Sequence, residues 1–296
     1  MQPPAQQAAI RSFLFTPGNH SRRVEKVFQT DADAVILDLE DAVAIAEKEA
    51  TRELVVDAFA SRLDSSCLRY VRINSLDTPY AEEDIAVCVG SWLQGVVLPK
   101  VESSDQMRAV DELITQAETK AGLIAGGIDL LPIIETARGV EFANEIAQAV
   151  PRVSRLAFGG GDYTLDLDYQ WTADEEVLAY ARARLSHASR VANIAPPIDT
   201  VVLQIKDSDR FRASSERGRK FGFGGKLCIH PDQVPLANAV FTPTAEEIAH
   251  ARAVVAAFET AEEQGSASIQ LDGYFIDYPI VYKSQRIIEL ARILGQ

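Results

Sequence analysis

Glu135 and Asp162 each stand where a short apolar run stops, in LLPIIE (Leu130 to Glu135) and RLAFGGGD (Arg155 to Asp162). Carboxylates delivered by the ends of neighbouring buried strands can converge on one hard cation, as two oxygen ligands of an otherwise hydrated Mg²⁺. Acids after strands also cap helices, so both readings stay open at this point. Arg72 lies inside the apolar run YVRIN, where desolvation penalises a guanidinium that lacks a carboxylate partner or a polar mouth. It either pairs with Glu40 or Asp41 to tie strands together, or offers its fork of donors to an acidic substrate or a developing oxyanion. Gly159, Gly160 and Gly161 allow positive φ and close backbone approach, so their N–H groups could bind a carboxylate beside Asp162; a tight turn is the simpler alternative. Pro17-Gly18-Asn19 precedes His20, Ser21, Arg22, Arg23 and Lys26, a basic cluster suited to a phosphate or equally to solvated surface.

Elements that could gather these residues recur along the chain. Short β-branched or aromatic runs, each followed by a turn and a segment of helical spacing, occur at Ser12–Thr16, Ala34–Leu39, Leu68–Ile73, Gly95–Lys100, Leu130–Glu135, Arg155–Gly159, Asn193–Asp199 and Lys226–Pro231. Strands alternating with helices imply a parallel sheet, and eight such units predict a closed (β/α)₈ TIM barrel over 1–240. An open doubly wound sheet is the alternative, because the seventh run carries Pro196 and Pro197. In a barrel, the positions after each strand share one rim: Thr16 to Asn19, Asp38 with Glu40 and Asp41, Arg72 with Asn74, Lys100 with Glu102, Glu135 with Arg138, Gly159 to Asp162, Asp199, and His230.

Among the helices, Asp105 to Glu118 places Met107, Val110, Leu113, Ile114 and Ala117 on one stripe, and Glu141 to Val150 stops at Pro151. The grammar then changes. Thr244 to Glu247 has capping-box spacing, Ile248, Ala251, Val255 and Phe258 line one helical face, and a small-residue loop QGSASIQLDG leads into YFIDYP and a last amphipathic segment. This C-terminal helical extension, 241–296, is expected to act as a lid or subunit arm, or else to pack on the outside of the barrel.

Composition narrows the function. With 296 residues, 47% hydrophobic and 24% charged, the chain can bury one large core. A net charge of −14 argues against nucleic acid and against an anionic membrane surface as partners. Cys67, Cys88 and Cys228 show no paired or zinc-binding spacing, and His20, His187, His230 and His250 form no ligand motif. No apolar stretch approaches the roughly 20 residues of a membrane span, and MQPPAQQAAIRS lacks the marks of a signal peptide, so a cytoplasmic protein is expected.

Taken in order, RSFLFTPGN, AVILDLEDAV with AEKEATR, YVRIN, GVVLPKVES, LPIIETARG, AFGGGDYTLDL, FGFGGKLCIHPDQV and FIDYP resemble the HpcH/HpaI aldolase and citrate lyase superfamily, in its citrate lyase β-subunit-like branch with malyl-CoA and citramalyl-CoA lyases. The likeness runs from about Arg11 to Tyr278. It implies a TIM barrel, Mg²⁺, and reversible Claisen-type cleavage of a 3-hydroxyacyl-CoA into an acyl-CoA and a small keto acid. By that resemblance Glu135 and Asp162 would ligate the metal, Glu40 and Asp41 would hold waters on it, and Arg72 would contact substrate oxygens. Pro17, Gly18, Gly160 and Gly161 would also touch substrate, and Asp277, in a segment resembling FID, would reach a neighbouring subunit's site and move the proton. A homotrimer or homohexamer is the family's suggestion. GNHSRR departs from the pattern, which has an arginine and proline after the glycine.

The tail and Asp277 point to a stand-alone acyl-CoA lyase more than to a subunit serving a carrier protein. Competing readings are a citrate lyase β subunit acting on a carrier-bound citryl thioester, a malyl-CoA thioesterase or malate-synthase-like enzyme, a metal-dependent pyruvate aldolase, and an inactive CoA-binding paralogue.

Overall fold

Each of the eight apolar runs forms a strand in the computed structural model, which describes residues 9–296. The reading of the leader as free of a signal peptide falls mainly on residues 1–8, outside the described residues. The strands are β1 (Ser12–Pro17), β2 (Ala34–Asp38), β3 (Leu68–Arg72), β4 (Gly95–Leu98), β5 (Asp129–Ile134), β6 (Ala157–Phe158), β7 (Ile198–Asp199) and β8 (Gly225–Cys228). All neighbours pair in parallel, and Ser12 against Lys226 closes β1 onto β8. The fold is therefore a closed barrel with surrounding helices, and the open sheet is excluded. The sixth and seventh strands fall furthest short of the expected runs. Pro196 and Pro197 can donate nothing to a ladder, so β7 begins only at Ile198, while β6 ends where the glycine run turns directly into helix Gly160–Asp166.

Strand side chains alternate between the barrel interior and the helices. Ile36, Tyr70 and Ile133 belong to the apolar interior cluster. Two residues further along the same strand directions stand Asp38, Arg72 and Glu135, so period-two alternation places all three just above the apolar plug. Register does the rest: Asp38 lies directly beside Arg72.

The outer helices follow the sequence reading with some differences. Helix Ser104–Lys120 opens on a capping box between Ser103 and Gln106. Its interior acid Glu118 is fully buried, because it accepts from Arg152 and from the N–H groups of Gly126 and Ile128. The single helix expected from Glu141 to Val150 is instead two short ones, Ala137–Glu141 and Ala143–Ala147, separated at Phe142, where ψ turns positive.

Residues 240–296 form a second compact unit. Helix Ala245–Glu263 starts at the expected capping box of Thr244 and Glu247. Val254, rather than Val255, is fully buried there, and it packs with Phe258, Ile276 and Val281. The loop expected over QGSASIQLDG contains half of a hairpin: β9 (Ile269–Leu271) pairs antiparallel with β10 (Tyr274–Ile276). Asp272 and Gly273, at φ 50° and 83°, make the two-residue turn. Asp-Gly between apolar residues is the usual signal for such a turn, and it was legible in the sequence. Helix Tyr278–Ile293 follows. Among the described residues no helix is long and apolar enough to cross a membrane.

Candidate active site

Arg72 and Asp38 meet fork to fork at the mouth of the barrel. Arg72 Nε donates to Asp38 Oδ1 at 2.7 Å and Nη2 to Oδ2 at 2.6 Å. Nη1 stands 2.9 Å from Glu40 Oε2, and the guanidinium lies over the Phe15 ring at 5.0 Å. The partners expected were Glu40 or Asp41; the main one is Asp38, because register puts it alongside. Burial pushes the Asp38 carboxyl up, but Arg72 and the N–H groups of Glu40 and Ala42 outweigh it and hold the acid below its ordinary value. Arg72 is raised by its carboxylates and stays charged throughout.

Lys100 joins the other carboxylates. At the end of β4 it adopts a left-handed conformation, φ 54°, from which its N–H donates to Glu135 Oε1 at 2.8 Å. Its ammonium pairs with Glu40 and reaches Asp41 Oδ2 at 3.2 Å. Glu40 is buried, and burial leaves its carboxyl above the usual range despite Arg72 and Lys100. Asp41 is exposed.

Glu135 is 3% exposed. Burial, and then the negative charge of Asp162, push its carboxyl up to about 8, against the opposing pull of Arg72 and of the Lys100 N–H. The positive charge around Glu135 thus does not offset its burial. Two carboxylates and no nitrogen or sulfur donor suit a hard divalent cation that keeps most of its waters, and Mg²⁺ fits that donor set. Among the described residues no group of three or more His, Cys, Asp or Glu side chains gathers as a metal site, so waters or substrate would complete the coordination.

Of the two properties expected of the three glycines, one is used. None has positive φ. A Cβ on Gly159 would overlap the Glu135 carboxylate, and one on Gly160 would come within 2.9 Å of Thr200 Oγ1. Close approach is therefore what requires them. The Gly160 N–H is already committed to Thr200 Oγ1 at 2.8 Å, while Gly161, beside Asp162, is uncrowded: a Cβ there would meet only the Trp171 ring, at 3.9 Å. Gly18, after Pro17, donates to the Asp38 carbonyl at 3.0 Å and sits so close to Thr51 and Val55 that a side chain would collide.

The structure brings Asp38, Glu40, Arg72, Lys100 and Glu135 together, with Asp162 near enough to act on Glu135 by charge. Pro17 and Gly18 border that group through Asp38. Asp277 belongs to the second unit, where it precedes helix Tyr278–Ile293 without capping it. Asp199, expected at the rim, faces outward: it accepts from Arg182 and Lys226 between the sheet and the helices. The alternation that points Ile198 inward sends Asp199 the other way. Asp38 and Lys100 were placed at the rim from sequence, by charge at or just after a strand end, but without the roles they have here. Thr200 was not singled out, and no signal marked it.

A family model described as HpcH/HpaI aldolase/citrate lyase matches residues 11–231. The chain is 38% identical to the citrate lyase subunit beta of Leuconostoc mesenteroides subsp. cremoris, over 95% of this chain and 93% of that one. It is 31% identical to the L-malyl-CoA/beta-methylmalyl-CoA lyase of Cereibacter sphaeroides, over 100% and 98%. Among solved structures, the CitE protein of Mycobacterium tuberculosis in complex with magnesium, acetoacetate and coenzyme A superposes with a TM-score of 0.80 at 29% identity, covering 96% of this chain and 99% of that one. The alignment to the Leuconostoc subunit takes in most of residues 240–296, so possession of the tail does not by itself separate a lyase from a citrate lyase subunit.

Proposed function

The chain belongs to the HpcH/HpaI aldolase/citrate lyase family, and from that premise we propose that it is a Mg²⁺-dependent carbon–carbon lyase cleaving a 3-hydroxyacyl-CoA of the malyl-CoA or citramalyl-CoA type into an acyl-CoA and an α-keto acid. The observation that carries the reading is Arg72, locked by Asp38 at the barrel mouth beside the carboxylate-rich pair of Glu135 and Asp162.

Glu135 and Asp162 would hold Mg²⁺, which when bound supplies Lewis-acid polarisation of the keto-acid oxygens. Arg72 is already paired with Asp38 through Nε and Nη2, so the fork cannot swing, and it stabilises the negative charge that develops as the carbon–carbon bond breaks. Lys100 holds Glu135 through its N–H and Glu40 through its ammonium, keeping two carboxylates in fixed positions. The open backbone at Gly161 leaves room to orient the keto-acid carboxylate. Asp277 of a neighbouring subunit protonates the acyl-CoA enolate during cleavage and removes the same proton in condensation, which makes the enzyme a homo-oligomer.

A second reading, a citrate lyase β subunit acting on a carrier-bound thioester, is favoured by the 38% identity to the Leuconostoc protein. One assay separates them: malyl-CoA, citramalyl-CoA and citryl-CoA with and without Mg²⁺, following keto acid, thioester product and free CoA, then the same with an acyl carrier partner. Lyase activity on free CoA thioesters is expected; activity only with the carrier would favour the second reading, and no product from any of them would sink both. Asp277→Asn is expected to depress kcat while Mg²⁺ affinity, measured by titration calorimetry, stays unchanged.

A further inference from the structure

Helix Lys48–Ala60 carries Lys48 and Arg52 one turn apart, in the AEKEATR segment, and both are only 8% exposed. Basic residues at that spacing usually share a solvated face. Burial costs desolvation that only full pairing offsets, so their partners reveal what they hold. The Lys48 ammonium has three protons and meets three acceptors: the Leu39 carbonyl at 2.9 Å, the Glu40 carbonyl at 2.7 Å and Asn74 Oδ1 at 2.6 Å. Asn74 in turn donates to Asp84 Oδ2 through its backbone N–H at 2.9 Å and its Nδ2 at 2.7 Å. Arg52 Nε donates to Asp84 Oδ1 at 2.7 Å, which returns the network to the helix where it began.

This ring ties the segment after β2 to the segment after β3. The first carries Glu40; the second directly follows Arg72. The Glu40 backbone is gripped from two sides, since its N–H donates to Asp38 Oδ1 at 2.9 Å while Lys48 takes its carbonyl and the one before it. We propose that Lys48 is a positioning residue: with Asn74, Asp84 and Arg52 it fixes the Leu39–Glu40 backbone so that the Glu40 carboxylate meets both Arg72 and Lys100. Without the ammonium, two buried carbonyls lose their charged donor and the segment turns to find water, taking Glu40 out of reach of its partners.

The kinetic part of the test rests on the lyase reading; the structural part does not. Wild type, Lys48→Met and, as a control on the exposed side of the same helix, Glu53→Gln are compared as full chains. In Lys48→Met, amide exchange of residues 39–43 should accelerate at least about tenfold while 129–135 and 156–164 keep wild-type protection; kcat should fall about tenfold or more with KM for the thioester changed less than about twofold. Asn74→Ala, which removes one of the three acceptors, should move both readouts the same way by less, and it replaces Lys48→Met if that variant does not fold. Unchanged exchange at 39–43, or unchanged kcat despite loosened exchange, overturns the proposal. Should wild type turn over none of the three thioesters, the lyase reading fails and the exchange pattern alone decides the role of Lys48.

Discussion

Asp38 and Asp199 both end strands of one barrel and both accept a two-pronged guanidinium, Asp38 from Arg72 on the inner side and Asp199 from Arg182 on the outer. Both acids are held below their ordinary values against the penalty of burial. Their surroundings differ in balance. On the outer side Glu175 and Asp199 meet Arg182, Lys226 and Arg217, so the carboxylates are fully matched by cations. On the inner side Asp38, Glu40, Glu135 and Asp162, with the exposed Asp41 beside them, face Arg72 and Lys100. A matched cluster fastens helices to the sheet, and nothing needs to be added to it. The inner cluster carries a surplus of formal negative charge, which adds to burial in pushing Glu135 to about 8 and is why a divalent cation suits it.

That contrast can be broken by experiment. Glu135→Gln or Asp162→Asn should abolish Mg²⁺ binding in calorimetry and lower kcat/KM by about 10³-fold or more, since each removes a ligand and its charge. Asp199→Asn should do the reverse, leaving Mg²⁺ affinity unchanged while urea unfolding reports a loss of about 3–5 kcal/mol, the cost of stranding buried cations. Equal loss of metal binding in both sets would erase the distinction between the clusters.

Gly159→Ala should weaken Mg²⁺ binding about 10- to 100-fold by crowding Glu135, whereas Gly161→Ala, whose Cβ would meet only the Trp171 ring at 3.9 Å, should keep it. A smaller and more diagnostic effect concerns protons. Because Glu135 is raised to about 8 in the metal-free protein, Mg²⁺ binding below that pH should release a proton, and affinity should climb as pH rises toward 8. Stability of the metal-free protein moves the opposite way: the raised folded value makes it lose stability as pH rises from the unfolded value through about 8, a loss that Mg²⁺ should reverse. Calorimetry in two buffers of different ionisation enthalpy, with Glu135→Gln as the blank, measures it.

Much of this was legible beforehand. Eight apolar runs and their turns predicted a barrel, and charged residues at strand ends marked its mouth, because both patterns are local and periodic. Asp199 was misjudged at the rim because a strand of two residues shows no period from which to read its face. The hairpin was passed over although Asp272-Gly273 announced it. Of the two reasons read from the glycine run, positive φ is not used and close approach is, although what comes close is Glu135 and Thr200.

What the sequence determined by itself was the fold and the chemical inventory: which strands, which carboxylates, which arginine, and the capping box that starts the tail. Only the tertiary structure decided how the charges are apportioned. Asp38 and Arg72 are 34 residues apart, and Lys100 and Glu40 are 60 apart. Pairing at such separations depends on register and burial, which no local pattern encodes. The same holds for Lys48 and Arg52, whose helical spacing alone would suit a solvated face; they are buried because the segments they hold arrive from two other parts of the chain.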